Sequence, residues 1–507
     1  MKKLIFFLII IFTVAMCAKD NPEPSKIAYR PAVNAGRFYP SSPDTLKQML
    51  NDFINLDEPR KIHDENSEII GLVSPHAGYV YSGWVAGKAY RELKGRHYDV
   101  IIIIAPSHYK GFRGASVYNG DAYTTPLGAC KIDLELSKEI CSYYPEIKYS
   151  TDGHGYGYDD SEHSIEVQVP FLQLVQPNVP IVAISMGSQD YETIDLLTKS
   201  IIKSVSKLKR KPLLVASSDL SHYHDLKSAR EIDIPLVKTF ERFDYFKLSN
   251  KTMINEYEAC GGGPISVVMM ASEILGANNA VPIYYSTSAG SPLTKTDSSR
   301  VVGYFSGVLV KSVLNYDNLL PQLSDDDKQE LLNIVIKTLK KVTKVDTTKE
   351  LPMVFAPTSL TEEYAAFVTL KKKGDLRGCM GHTFPSMPLI SEVEESTRLA
   401  ATSDPRFNPL TKKELPDLEV EVTILSRMKK ILDENEIVPG RDGVYLRLGR
   451  NSGLFLPIVA TEYGWDRTTL LEHLCNKAGL PVNSQKDPKA ELYIFKAINF
   501  GTLMKDK

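Results

Sequence analysis

Residues 69–83 read IIGLVSPHAGYVYSG: an apolar run, a break at Ser74–Pro75, then His76 before a helical pattern resumes. The chain repeats this plan twice. VIIIIAPSHYKG (100–111) brings His108, and LLVASSDLSHYH (213–224) brings His222, just past the ends of the strand-like runs Val100–Ala105 and Leu213–Ala216. Continuous apolar strands are buried on both faces and belong to parallel sheets covered by helices. Ligands of open α/β sheets bind outside the carboxyl ends of the strands, where residues distant in sequence converge. Cys260, in EACGGGP (258–264), offers a further ligand-type side chain. Imidazole and thiolate suit iron, copper or zinc, whereas magnesium and calcium demand oxygen. The pattern therefore predicts a metal site.

Working outward, VPIVAISMG (179–187), VPIYYSTSAG (281–290) and VVGYFSGVLV (301–310) read as further buried strands. YETIDLLTKSIIKSVSKL and PISVVMMASEIL between them have helical apolar spacing. Alternation of this kind predicts right-handed βαβ units and a mostly parallel sheet, an α/β fold. Asp219, three residues before His222, is expected either to orient an imidazole or to cap a helix; His222 is a candidate proton donor. DDSEHSIEVQVP (159–170) supplies Glu162, His163 and Glu166; as a helix it would set Glu162 and Glu166 on one face, as acid/base groups or a second metal position, or as a solvated acidic start.

LNYDNLLPQLS (314–324) breaks the pattern. Ser324 and Asp327 form a capping-box signature ahead of a helix whose buried stripe is Leu331, Leu332, Val335, Ile336 and Leu339. FVTL-KKKGD-LRGCMG reads as a hairpin with the lysines 371–373 at its solvated tip. LEVEVTIL (418–425) alternates strictly, a half-buried strand, and Asp466 caps a last helix closed by Gly479 and Pro481. This region is predicted to be α+β with its own core. Cys379, between Gly378 and Gly381, reads either as an accessible catalytic thiol or as a small apolar residue in a tight turn. Arg377 is a candidate to stabilise its thiolate or hold an anion, and His382 is a possible base.

With 60 basic and 62 acidic side chains among 507 residues, no global field points to nucleic acid. Lys2 and Lys3 precede the thirteen apolar residues 4–16 and then Cys17, an export-signal pattern too short to span a bilayer, with Cys17 placed where a lipoprotein would be lipidated. Six dispersed cysteines do not make a disulfide framework, although Cys130 and Cys141 could pair. The expected organisation is a signal segment 1–17, a tether 18–29, a metal-binding α/β domain 30–311, a linker 312–323 and an α+β domain 324–505. Membrane contact is expected only through the N-terminal segment, and the chain is expected to be exported or envelope-associated.

PAVNAGRFYP, SPHAGYVYSG, APSHYKG, SEHSIEVQVP, SSDLSHYH and ACGGGPI together resemble the Memo family. That resemblance implies a fold similar to the catalytic subunits of class III extradiol dioxygenases, which hold non-haem Fe(II) with two histidines and a glutamate. In Memo proteins the trio is two histidines and a cysteine. Carried over motif by motif, His76, His108 and Cys260 are the implied ligands and Asp219 and His222 their neighbours. AAFVTLKKKGDLRGCMG, SDPRFNPLTKKELPDLEVEVTILS and SGLFLPIVATEYGWDRTTLLEHLCNKAGLP resemble an AMMECR1 domain, with Met380 for an isoleucine and His382 inserted before Thr383. Proteins of both kinds are often grouped with a radical-SAM enzyme, which makes such an enzyme an implied partner. A radical-SAM partner is cytoplasmic, so the N-terminal segment implies either that this member has left that partner or that it is anchored at the inner membrane face. The implied function is an oxidoreductase-like protein with Fe(II) or copper and a small-molecule substrate. On that reading His222 is the acid/base, assisted by Asp219, with Glu162 and His163 lining the pocket. The competing expectation is a metal-sequestering or peptide-binding module without turnover.

Overall fold

The computed structural model describes residues 28–56, 67–295, 297–311, 320–321, 323–344 and 358–504. The signal segment with Cys17, most of the tether and most of the linker lie outside the described residues. Among the described residues no helix is long and apolar enough to cross a membrane.

The first region is built on a nine-stranded sheet. Its centre runs Glu68–Ser74, Pro212–Ser217, Val100–Pro106 and Ile181–Met186, all mutually parallel. Its flanks are not parallel. Val301–Lys311 runs antiparallel to Glu68–Ser74 and also pairs antiparallel with Asn279–Thr287, while Ala115–Tyr118 runs antiparallel to Ile181–Met186. The sheet is therefore mixed rather than mostly parallel. The strands Asn279–Thr287 and Val301–Lys311 follow each other with, among the described residues, only the 3-10 turn Ser288–Gly290 between them and no α-helix to cross over the sheet, so they pair antiparallel.

The isoleucine run shows why the central strands carry no polar alternation. Ile101, Ile103 and Ala105 enter one core with the helices Tyr79–Arg91 and Val169–Val175; Val100, Ile102 and Ile104 enter the other with Tyr191–Lys207 and Gly262–Ile274. Helix Gly262–Ile274 lies so close to the sheet that a Cβ on Gly71 would stand 2.4 Å from Ser272 Oγ and 2.8 Å from Leu309 Cδ1. Such approach is why glycine interrupts this strand.

The second region has two four-stranded antiparallel sheets. One orders Asp375–Gly381, Ala366–Lys372, Leu418–Leu425 and Ala497–Leu503; the other orders Lys429–Ile431, Glu491–Phe495, Gly443–Leu448 and Asn451–Phe455. Helices Asp325–Val342 and Leu389–Thr402 cover the first sheet. The Ser324–Asp327 capping box forms, and Leu418, Val420, Val422 and Ile424 are buried as alternation predicts. Only Lys373 and Gly374 make the hairpin tip, both with positive φ; Lys371 and Lys372 lie on the strand and meet Glu421 at 3.3 Å and Glu414 at 3.6 Å. The region has cores of its own, but it is not self-contained. Leu425, Met428, Tyr445, Tyr493 and Phe495 belong to the same apolar cluster as one face of the nine-stranded sheet.

Candidate metal centre

His76, His108 and the loop 218–221 that leads to His222 all emerge from the carboxyl ends of adjacent parallel strands. His76 and His108 meet edge to face with centroids 5.1 Å apart. His163 joins them from the loop before the short helical turn Glu166–Gln168, stacked on His108 at 4.7 Å and on Phe38 at 4.4 Å. One ligand atom from each of these three imidazoles lies within 4.8 Å of the others, so the cluster could hold a metal ion. Cys260 lies beside it, its Sγ 3.1 Å from His76 Nε2.

The hydrogen bonds of the two rings fix their tautomers. Ser217 has one hydroxyl proton, given to Ser164 O at 2.6 Å, so its Oγ accepts from Gln168 Nε2 at 2.8 Å and from His76 Nδ1 at 2.9 Å. His76 Nε2 thus carries the lone pair. His108 donates Nδ1–H to Glu162 Oε1 at 2.9 Å, which also frees its Nε2. An outward carboxylate or hydroxyl that fixes the ring in this way is the usual support of a metal-binding histidine. His163 Nδ1 is buried without a hydrogen-bond partner, and as an unprotonated imidazole nitrogen it offers a lone pair that a cation would satisfy. The residues fit a soft or borderline metal.

The surrounding charges are ordered by the same bonds. Burial opposes ionisation of Glu162, but bonds from the backbone and ring of His108 outweigh it and hold the carboxyl at about 2. The same pair raises His108 against its own burial. Burial drives His76 well below the ordinary histidine value, with His108 and His163 adding to it, and takes His163 to about 4. It also pushes the Cys260 thiol up, so the metal-free thiol is a donor toward His76 Nε2. Two atoms 3.1 Å apart can bind one ion at about 2.0–2.3 Å each.

Asp219 does not cap a helix. Its Oδ1 accepts from His76 N at 2.7 Å, its backbone N–H points at Cys260 Sγ at 3.3 Å, and burial raises its carboxyl to about 6; Asp225 caps the following helix instead. His222 lies on a three-residue strand rather than in the loop, and its Nδ1 meets Leu220 O at 2.7 Å, leaving Nε2 as the acceptor. Glu162 and Glu166 do not share a helical face. Residues 161–165 are irregular, and Glu166 turns away to Arg30 at 2.5 Å and to Tyr39 OH at 2.5 Å. Arg30 in turn donates to Gly155 O and Glu162 O, pinning the loop that carries His163. Arg30 lies just before PAVNAGRFYP, and Ser217 opens SSDLSHYH without a role of its own in that motif. Their roles depend on contacts across more than 120 residues and across 141 residues. A cavity of about 280 Å³ lined by Ser107, Tyr109, Tyr156 and Glu162 opens beside the cluster.

Cys379 sits on the strand Asp375–Gly381, not in a tight turn. Thr369 Oγ1 lies 3.2 Å from its Sγ, its N–H donates to Asp404 Oδ2 at 2.8 Å, and its carbonyl accepts from Arg406. Arg377 is committed to Glu414 at 2.9 Å and Asn408 O, away from the thiol, and His382 Nδ1 to Glu392 at 2.8 Å. The thiol and the imidazole predicted as a pair thus have separate partners. Cys130 and Cys141 are both free thiols.

Residues 30–308 match the Memo-like protein family, over more than half of the chain. The chain belongs to that family. Residues 332–500 match AMMECR1, so Memo-like and AMMECR1 domains stand in tandem. A MEMO1 family protein of Methanobrevibacter smithii is 35% identical over 286 residues, covering 55% of this chain and 98% of the relative. One of Archaeoglobus fulgidus is 36% identical over 270 residues, covering 53% and 95%. Among solved structures, an uncharacterized protein, PH0010, from Pyrococcus horikoshii shares 32% identity with a TM-score of 0.34, over 35% of this chain and 93% of its own.

Proposed function

We propose that this Memo-like protein is a metal-dependent, oxidoreductase-like protein that takes a small molecule at a site built from His76, His108 and Cys260, with His163 completing or replacing the thiolate. The observation that carries the reading is the convergence of three imidazoles, two with their outward nitrogens fixed by partners, on one point beside a thiol. Fe(II) is the favoured ion and copper the next, because imidazole and thiolate donors select them over magnesium or calcium. When bound, such an ion would supply Lewis acidity and one-electron chemistry. His222 Nε2 would take or give the proton, with Asp219 holding the His76 loop; Glu162 holds His108 as a donor of its lone pair. Cys379 is kept as a separate candidate thiol in the AMMECR1 domain.

Metal analysis of protein purified without oxygen tests the site. Occupancy should fall in His76→Ala and in either Cys260→Ser or His163→Ala, and the last two variants identify the third ligand. Unchanged occupancy in all three removes the assignment. The exposed Tyr109 and Tyr156 that line the cleft favour a second reading, a non-catalytic binding module that sequesters metal or holds a peptide. Oxygen uptake with catechol-like and other small substrates separates the two, since retained metal with no turnover across the panel leaves the binding module. A radical-SAM enzyme as partner and an exported or lipid-anchored location are part of the same proposal. Sequencing the N-terminus of the mature chain from cell fractions tests them together: a full-length cytosolic product removes export and favours the partner.

A further inference from the structure

The loop bearing Cys260 is held by two helices, and the AMMECR1 domain grips both. Helix Gly262–Ile274 starts two residues after Cys260, and its far end carries Glu273, buried and ion-paired with Arg427 from the second region. Tyr245 OH donates to the other Glu273 oxygen at 2.9 Å and accepts from the backbone N–H of Lys430 at 3.0 Å, closing a ring of contacts across the junction. The second helix, Tyr191–Lys207, follows Gln189, whose side chain donates to Cys260 O at 2.7 Å and accepts from Gly263 N at 2.7 Å. At the start of that helix Tyr191 OH meets Tyr493 OH at 2.5 Å; further along, Asp195 pairs with the buried Lys430, and Lys199 donates to Pro488 O and Ala490 O at 2.9 and 3.0 Å. Packed helices shift as rigid bodies, not by bending, so fixing their bodies fixes the loop at their ends.

We propose that the AMMECR1 domain is a clamp for the Cys260 thiol, with Arg427 and Lys430 as positioning residues that act through Glu273 and Asp195 on the two helices flanking the Cys260 loop. The inference rests on the reading of Cys260 as a ligand. Helix Gly262–Ile274 is thirteen residues long, so Arg427 acts over about 20 Å. Ligand placement within a few tenths of an ångström decides metal affinity, and outlying supports of a ligand are worth about 10–100-fold. A loosened clamp should therefore weaken metal binding without touching a ligand.

Cobalt(II) added to the metal-free full-length protein reports the thiolate directly, through its sulfur-to-metal charge-transfer absorption. Wild type should show the band and Cys260→Ser should lose it; a wild type without the band sinks the ligand reading itself. Given the band, Arg427→Met should lower cobalt affinity about tenfold and weaken or shift the absorption, with partial recovery in Arg427→Lys. Because Arg427→Met strands a buried carboxylate, the pair Arg427→Met with Glu273→Gln is measured alongside, removing both charges while keeping the volume. The pair should show the same weakened band. Arg242→Met, which breaks the half-exposed 3.1 Å contact to Glu362 at the same junction, should leave the band intact. An unchanged band in Arg427→Met and in the pair overturns the clamp. An equal loss in Arg242→Met overturns it too, since mere loosening of the junction would then account for the effect.

Discussion

Ser217 shows how one hydroxyl governs the candidate centre. Its only proton goes to Ser164 O, which obliges His76 to donate Nδ1–H and to keep Nε2 free. Ser217→Ala should leave the fold intact and reduce cobalt(II) or zinc(II) affinity about 10–100-fold, the usual cost of losing the group that orients a liganding histidine. An affinity within twofold of wild type in a competition titration would remove Ser217 from that role. Arg30 does the same for the His163 loop at greater expense. It is buried against Glu166 with the backbone carbonyls of Pro31, His154, Gly155 and Glu162 as further acceptors. Arg30→Met removes the counter-charge of the buried Glu166, leaving it only the hydrogen bonds from Tyr39 and Asn34, so it should cost about 3–5 kcal/mol in denaturant unfolding, and a loss below about 1 kcal/mol would contradict the geometry. The motifs made it legible that His76, His108, Cys260, Asp219 and Glu162 lie near one another; the contacts of Ser217 and Arg30 were not legible, because a serine or an arginine next to a strand carries no spacing signature.

Among the elements, the strands were read most reliably where burial forces a pattern. The run Val100–Pro106 needs both faces apolar and Leu418–Leu425 needs one, so the two sheet types announce themselves. Residues 161–165 failed the same test. Their acidic spacing suits a helix, yet Glu162 is drawn to His108 and Glu166 to Arg30, and those two buried bonds pull the segment out of helical geometry. Arg377 and Glu414 link the hairpin strand Asp375–Gly381 to the turn Lys412–Asp417. The Arg377 bond, aided by Thr411 against an opposing push from burial, holds the Glu414 carboxyl at about 2 instead of the ordinary 4.5. A carboxyl depressed on folding stabilises the native state fully above about pH 4.5, and that stabilisation is lost as the pH falls through about 2. Glu414→Gln should therefore be less stable than wild type at pH 6 and converge on it near pH 2, as read by urea midpoints. A constant difference across that range would sink the assignment.

The two regions share an apolar cluster and two buried ionic groups, Asp195 with Lys199 and Lys430, and Glu273 with Arg427, although their sequence styles suggested independent cores. Calorimetry should therefore show a single unfolding transition for the full chain, because interfaces that are large and apolar couple domains. Two resolved transitions more than about 10 °C apart, several times the shift a kilocalorie produces in a chain this long, would mean that the junction contributes little. Local patterning was enough to mark the α/β and α+β halves, the strand ends that present His76 and His108, and the capped helices, since periodicity, caps and glycines act between residues close in the chain. Tertiary structure alone decided that the sheet flanks run antiparallel, that His163 completes the imidazole cluster, that Arg377 faces Glu414 and not Cys379, and that Arg427 reaches Glu273. Each of those depends on which distant groups share one desolvated space, where an unpaired charge is too costly to leave. That selection operates only once the chain has closed around it.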